Sequence, residues 1–150
     1  MARFNVGRGL NQYIAELEKI YTNTPDMIGK SIYQGAKIVT DAVHAEIAML
    51  PDSEVSADQR SGLLDGLGIA KMKSTMTGAN VKVGMDGYNT HKTKKYPNGQ
   101  PNMMIARALI SGTSFHPKKN DFVRRAVNKS RAAAENAMRQ AFDEEIKKYT

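Results

Sequence analysis

An apolar residue recurs every three or four positions through one long stretch of the chain, and this spacing constrains the fold more than any other feature. The stripe consists of Ile28, Ile32, Ala36, Val39, Val43, Ile47 and Leu50. Because an α-helix has 3.6 residues per turn, these side chains share one helical face that other elements must cover. Thr24 suits an N-cap, Pro25 suits the first helical position, and Pro51 cannot continue a helix. We predict a central helix of about 25 residues, roughly 37 Å long.

Three further helices are predicted around it. A short amphipathic helix precedes Thr24, because its apolar residues also follow helical spacing: Leu10, Tyr13, Ile14, Leu17, Ile20 and Tyr21. Asn102 is expected to cap a short helix that ends at Gly112. Asp121 is expected to cap the last helix. That helix should bury Phe122, Val123, Val127 and Phe142 against the long helix and the sheet.

A β-hairpin is predicted over residues 69–86. Ala70, Met72, Ser74 and Met76 alternate with polar residues, and so do Val81, Val83 and Met85. Alternation of this kind gives a strand one apolar face, and Thr77 to Asn80 supply the turn chemistry. Just before the hairpin, Ser56 and Gln59 have the spacing of a capping box. Gly62 and Gly66 argue against a stable helix after it, since each costs up to about 1 kcal/mol relative to alanine.

These elements predict an α+β fold, with long helices packed on a small antiparallel β-sheet that contains a hairpin. The 150 residues are 41% hydrophobic, which suits one domain, residues 1–150, with its own core. No apolar run approaches the roughly 20 residues that a membrane span needs, so no membrane partner is expected. The first residues lack the apolar region of a secretory signal, and the chain has no cysteine. We therefore expect assembly in a cytoplasm.

The excess of positive over negative charge lies entirely in the second half of the chain. The formal net charge is +7, and residues 1–50 carry five basic and five acidic side chains. Residues 71–100 carry six lysines against one aspartate. A basic half of this kind points to anionic partners rather than to a particular fold.

An exposed basic loop is predicted at residues 88–101, which have no apolar period of their own. Lys92, Lys94 and Lys95 lie between Tyr88 and Tyr96, a combination that can contact phosphates with charge and bases with aromatic rings. We take Lys92, Lys94, Lys95 and Tyr96, together with Arg124 and Arg125, as candidate contacts with a protein partner or DNA. An ordinary solvated loop accounts for the same composition.

Enzyme motifs are missing from the sequence. It has no phosphate-binding Gly-Lys-Ser/Thr loop, no Gly-x-Ser-x-Gly elbow and no ordered dinucleotide fingerprint. His44, His91 and His116 do not share a metal-binding spacing. We therefore predict a protein without catalytic residues, bound metal or cofactor.

The order of the elements resembles a known family. A long helix ending near Leu50, the hairpin, Ser111-Gly112-Thr113 and then Pro117 before a terminal helix follow one another as in the head-tail joining or tail-completion proteins of long-tailed bacteriophages and prophages. The family-like residues are Gly112, Thr113, Pro117, Phe122, Val123 and Ala126. The resemblance covers most of residues 25–149, and loop 88–101 is an insertion relative to it.

This resemblance implies a non-enzymatic virion protein at the phage neck. Copies would form a homo-oligomeric ring that completes the tail and joins it to the head, in contact with other neck and tail proteins. Genomic DNA would pass through the lumen. The alternative is a small basic DNA-binding protein that uses the hairpin and the basic loop as an arm, and salt dependence of DNA binding would distinguish the two.

Overall fold

The computed structural model describes residues 8–75 and 78–150, which form four helices and four short strands. In chain order the elements are α1 (Arg8–Ala48), α2 (Ala57–Gly66), β1 (Leu67–Ile69), β2 (Lys73–Thr75), β3 (Gly78–Asn80), β4 (Val83–Met85), α3 (Asn102–Ser111) and α4 (Phe122–Lys147). The mixed α+β class predicted from sequence is confirmed. None of the helices within the described ranges is apolar enough over sufficient length to cross a bilayer.

An antiparallel pair of long helices, α1 and α4, forms the frame of the molecule. Near one end of the pair Lys30 Nζ lies 3.0 Å from Glu145 Oε2, and near the other Arg125 Nε lies 3.1 Å from Glu46 Oε2. Between them a Cβ on Gly35 would lie 2.6 Å from Met138 Cγ, so the absence of a side chain permits the close approach. The two helices therefore run in opposite directions with their axes close together.

Helix α1 is longer than predicted, and Pro25 lies inside it. The expected break at Thr24 does not occur. Proline has no N–H to donate to the carbonyl four residues back, and its ring crowds that carbonyl. The three residues before it each donate a side-chain hydrogen bond four residues back: Thr22 to Glu18 O, Asn23 to Lys19 O and Thr24 to Ile20 O. The Thr24 hydroxyl that suggested a helix start thus bonds within a continuous helix of 41 residues.

The predicted capping box is present at the start of α2, but the prediction that Gly62 and Gly66 prevent a helix is wrong. The Ser56 hydroxyl accepts from Gln59 N, and Gln59 Oε1 accepts from Ser56 N. Both glycines are helical, and each lies against another backbone or side chain. A Cβ on Gly62 would be 2.5 Å from Asn102 Oδ1, and one on Gly66 would be 2.2 Å from Asp86 O. Tertiary packing that only glycine permits outweighs its weak helix propensity.

The hairpin is confirmed, but the side chains that face inward on its first arm differ from those predicted. Strand β1 pairs with β4, where Ile69 is opposite Val83, and β2 pairs with β3, where Lys73 is opposite Asn80. Between these pairs residues 70–72 lie opposite residues 81–82, so the first arm carries one extra residue, as in a β-bulge. The predicted inward residue Ala70 is consequently exposed.

The bulge directs Met72 toward α1. Its backbone N–H donates to the Tyr33 hydroxyl at 2.8 Å, and its Cε would lie 3.0 Å from a Cβ on Gly29. Of the predicted turn, Gly78 to Asn80 are strand β3 instead, and Thr77 lies outside the described residues. Met76 also lies outside them.

Asn102 begins α3 but does not cap it, contrary to the prediction. Pro101 occupies the N-cap position without a side-chain bond. The Asn102 amide is buried instead and donates to Asp86 O at 2.8 Å, while its backbone N–H donates to Gly87 O. The end of α3 is as predicted, since Ser111 is its last residue and Gly112 has φ +73°.

The core lies where α1, α2, α3 and the start of α4 meet. Its buried residues are Val43, Ile47, Leu50, Val55, Leu63, Ile105, Ala106, Leu109, Phe122 and Ala126. Phe122 is fully buried as predicted, and Asp121 caps α4 by accepting from Arg124 N at 3.1 Å. Val123, Val127 and Phe142 are only half-buried, which corrects their prediction as core residues. Small residues, Ala126, Ser130 and Ala134, fill the buried face of α4 instead.

Candidate functional site

The basic loop, residues 88–101, is anchored at its base by Asn89. This side chain is 3% exposed, and its Oδ1 accepts from His91 N and from Gln100 N, each at 3.0 Å. Gly99 lies directly against it with φ +109°, and a Cβ there would be 1.9 Å from Asn89 O. Only glycine fits this position. The loop thus has a fixed, closed base although it lacks an apolar pattern.

The loop lysines lie around a second, smaller turn. Thr93 N donates to Tyr96 O, and the Thr93 hydroxyl accepts from Tyr96 N, both at 3.0 Å. Lys94 and Lys95 occupy the two positions between, and both are exposed, as is Lys92. Lys95 Nζ lies 5.6 Å from the centre of the half-buried Tyr96 ring. No ion pair among residues 8–75 and 78–150 involves these three lysines.

The two candidate arginines at the start of α4 differ in their surroundings. Arg124 is exposed. Arg125 donates to the buried Glu46 and, through Nη2, to Asn120 Oδ1 at 2.6 Å. Lys129 Nζ reaches the other Glu46 oxygen at 2.6 Å. Arg125 therefore has an intramolecular role, and Arg124 is the arginine of this pair whose charge faces solvent.

Glu46 gives the fold a defined pH dependence. The hydrogen bond from Lys129 lowers its pKa below the ordinary 4.5, and the bond from Arg125 acts in the same direction, against the effect of burial. A carboxyl whose pKa is lowered by folding contributes stability above its unfolded-state pKa, and this contribution is lost as the pH falls through the folded-state value. As the pH is lowered from about 5 to about 3, we expect the free energy of unfolding to fall more steeply in the wild type than in Glu46→Gln.

Urea titrations across that pH range measure the difference. Glu54 and Glu145 also have lowered pKa values, from Asn120 and from Lys148 respectively, so the wild-type slope alone does not isolate Glu46. The comparison with Glu46→Gln does, because the other two carboxyls are present in both proteins. Equal slopes in the two proteins would contradict the assigned ion pairs.

The family-like residues form one continuous unit between α3 and α4. Thr113 N donates to His116 O at 2.9 Å, and the Thr113 hydroxyl accepts from His116 N at 3.0 Å. Gly112 faces this turn, and a Cβ on it would lie 2.8 Å from Pro117 O. Asn120 N then donates to Leu109 O at 2.7 Å, which ties the end of the segment to α3. Phe122 and Ala126 follow as the buried first turns of α4.

A groove of about 640 Å³ lies beside this turn. Its walls are the apolar face of α3, the turn itself and the segment around Glu54, and its lining residues include Met104, Ala108, Phe115, His116 and Lys118. Phe115 is 90% exposed at the rim. Lys118 Nζ lies 3.3 Å from Glu54 Oε1 at the same rim. The groove therefore combines an apolar wall with an ion pair at its edge.

The first part of α1 extends beyond the end of α4. Lys30 pairs with Glu145, two residues before α4 ends, so the part of α1 from Arg8 to Pro25, roughly 26 Å long, lies beyond that contact. This helix extension, residues 8–25, presents an apolar stripe to solvent: Tyr13, Ile14, Leu17 and Tyr21. Tyr21 is 83% exposed.

No family model, curated protein or solved structure matches this chain.

The sequence predicted part of this arrangement. It identified the lysine loop and the Gly112 to Ala126 segment. It missed Asn89 and Phe115 and gave Asn102 the wrong role. The position of Asn89 beside Thr90, in a loop with glycine nearby, is a signal for hydrogen bonding from side chain to backbone. No short stretch of sequence indicates the groove, because it forms only where α3 and the turn lie side by side. Within the described ranges, no group of three or more histidine and carboxylate side chains is placed to hold a metal ion.

Proposed function

We propose that this protein is a non-enzymatic structural component of a phage virion, a neck protein that assembles into a ring, completes the tail and joins it to the head. The observation that carries the proposal is the unit formed by Gly112, Thr113 and Pro117 with Phe122 and Ala126. The residues that carry the resemblance to head-tail joining proteins are adjacent in space as well as in sequence.

The distribution of surfaces on the subunit supports an assembly role. An apolar helix extension lies at one end, a groove with an apolar wall lies near the other, and an anchored lysine loop provides a third exposed surface. Exposed apolar surface of this kind is typical of proteins that bind other proteins. A ring of such subunits would place some lysines near neck and tail neighbours or near DNA in the lumen.

The test is a nonsense mutation of the gene in the phage or prophage that carries it. We expect filled heads and complete tails to accumulate separately in electron micrographs, because the joining ring is missing, and a plasmid copy should restore joined particles. The same chain should be found in the neck of the wild-type virion. Joined, infectious particles without the chain would overturn the proposal.

The alternative, a DNA-binding protein, is favoured by one observation: three exposed lysines lie in an ordered loop with the 70% exposed Tyr88 at its start. If this loop and the hairpin form a DNA-binding arm, the pure protein should bind DNA with a salt slope of about 0.9 per phosphate contacted on duplex DNA and about 0.7 on single strands.

A further inference from the structure

The basic loop contains a chemically labile dipeptide, Asn98-Gly99, in which Asn98 is exposed. An asparagine side chain is open to attack by the backbone nitrogen of the next residue, and glycine offers no side chain to hinder that attack. The nitrogen loses its proton and bonds to Cγ of the asparagine, the side-chain amide leaves as ammonia, and a five-membered succinimide remains. Water then opens the ring to aspartate or to isoaspartate, in which the backbone runs through the side chain.

The fold places this dipeptide in a turn that opposes the reaction. Gly99 N donates to Tyr96 O at 3.2 Å, and Pro97 follows Tyr96. Asn98 has a negative φ, which together with this bond identifies a type I β-turn with proline at its second position. The succinimide requires Gly99 N to eclipse Cβ of Asn98, which is about 120° of rotation about ψ from the value near 0° of such a turn. The attacking nitrogen is therefore held away from Cγ by its own hydrogen bond.

The closed base of the loop prevents the rotation that would release this nitrogen. Gly99 is buried against Asn89 O with φ +109°. The next residue, Gln100, donates its N–H to Asn89 Oδ1 at 3.0 Å and accepts from Asn89 N at 2.9 Å. Rotation about ψ of Asn98 would swing Gly99 and Gln100 away from Asn89 and break these bonds. The reaction therefore requires the base of the loop to open first.

We infer that Asn98 is a deamidation site that the closed base of the basic loop protects. The modification proceeds only through transient opening, so its rate is the rate in the open loop multiplied by the fraction of molecules that are open. Its product changes this surface permanently. A new carboxylate joins Lys92, Lys94 and Lys95, and isoaspartate adds one backbone carbon ahead of Gly99, where the packing leaves no room for it. The inference holds whether or not the protein acts at a phage neck.

The test compares the folded protein with a synthetic peptide of residues 88–101, which has the same dipeptide without the rest of the fold. Both are incubated at neutral pH, and peptide mapping by mass spectrometry measures aspartate and isoaspartate at position 98 over time. Because opening breaks the bonds of both Gly99 and Gln100, we expect deamidation to be at least about tenfold slower in the protein. Equal rates in the protein and the peptide would overturn the inference.

Asn89→Ala removes the base of the loop and keeps the labile dipeptide. Deamidation should be at least about fivefold faster in this variant than in the wild type, because His91 N and Gln100 N lose their shared acceptor. Asn128→Ala, which changes an exposed asparagine on α4, is the matched control and should keep the wild-type rate. Circular dichroism shows whether both variants are folded. A folded Asn89→Ala with the wild-type rate would contradict protection by the loop base, and the comparison with the peptide decides the inference if this variant fails to fold.

Discussion

Replacing Phe122 with alanine should cost about 3–5 kcal/mol of unfolding free energy. The ring is fully buried among core residues of α1, α2 and α3, so its removal loses transfer free energy and leaves a cavity. Because the total free energy of unfolding of a native protein is about 5–15 kcal/mol, the variant should lose a large share of its stability. Urea unfolding followed by circular dichroism measures the change, with the slope on denaturant as a check on the two-state assumption.

Phe142→Ala is the matched control, since it removes the same ring from the same helix. Phe142 is half-buried and far from the main core cluster. Phe142→Ala should therefore lower the free energy of unfolding by less than half as much as Phe122→Ala does. Equal losses at the two positions would mean that α4 is held along its whole length rather than by its first turns.

On the proposed neck function, changing Lys92, Lys94 and Lys95 together to glutamate should prevent heads from joining tails while leaving the subunit folded. The three side chains are exposed, and exposed charges contribute little to stability. The loss of the Lys95 contact with Tyr96 removes at most about 1 kcal/mol. Electron microscopy and infectivity of particles carrying the variant give the readout, and the melting temperature of the pure subunit shows whether it is folded.

The hairpin offers a control with the same change of charge. Lys71, Lys73 and Lys82 are also exposed, and changing them to glutamate alters net charge equally. If the loop makes a specific contact, the loop variant stalls assembly and the hairpin variant does not. If the protein is instead a DNA-binding arm, both variants should weaken DNA binding and lower its salt slope. If heads join tails normally in the loop variant, the loop is an ordinary solvated one that makes no contact needed for joining.

The sequence by itself determined the class of fold and most of its elements. The apolar period of α1 and the alternation in the hairpin depend on local geometry, and so do the caps at Ser56 and Asp121 and the helix end at Gly112. Each involves residues within one or two turns of one another, so spacing alone identifies them. The lysine loop and its exposure were also predicted locally, because the segment is rich in lysine and has no regularly spaced apolar residues.

Tertiary structure decided the features that depend on contacts between distant residues. Pro25 is tolerated within α1, and glycine at 62 and 66 is helical because Asn102 and Asp86 lie against α2. The extra residue in the hairpin changed which side of the first arm faces α1. Glu46 pairs with Arg125 and Lys129 across the two long helices.

The candidate surfaces follow the same division. The apolar stripe of residues 8–25 was visible in the sequence, but only the position of Lys30 beside Glu145 showed that α4 ends before it can cover that stripe. The groove exists because Thr113 and His116 close a turn next to α3. Periodicity records which side chains share a face of one element, and only the packing of elements against each other decides which of those faces stay exposed.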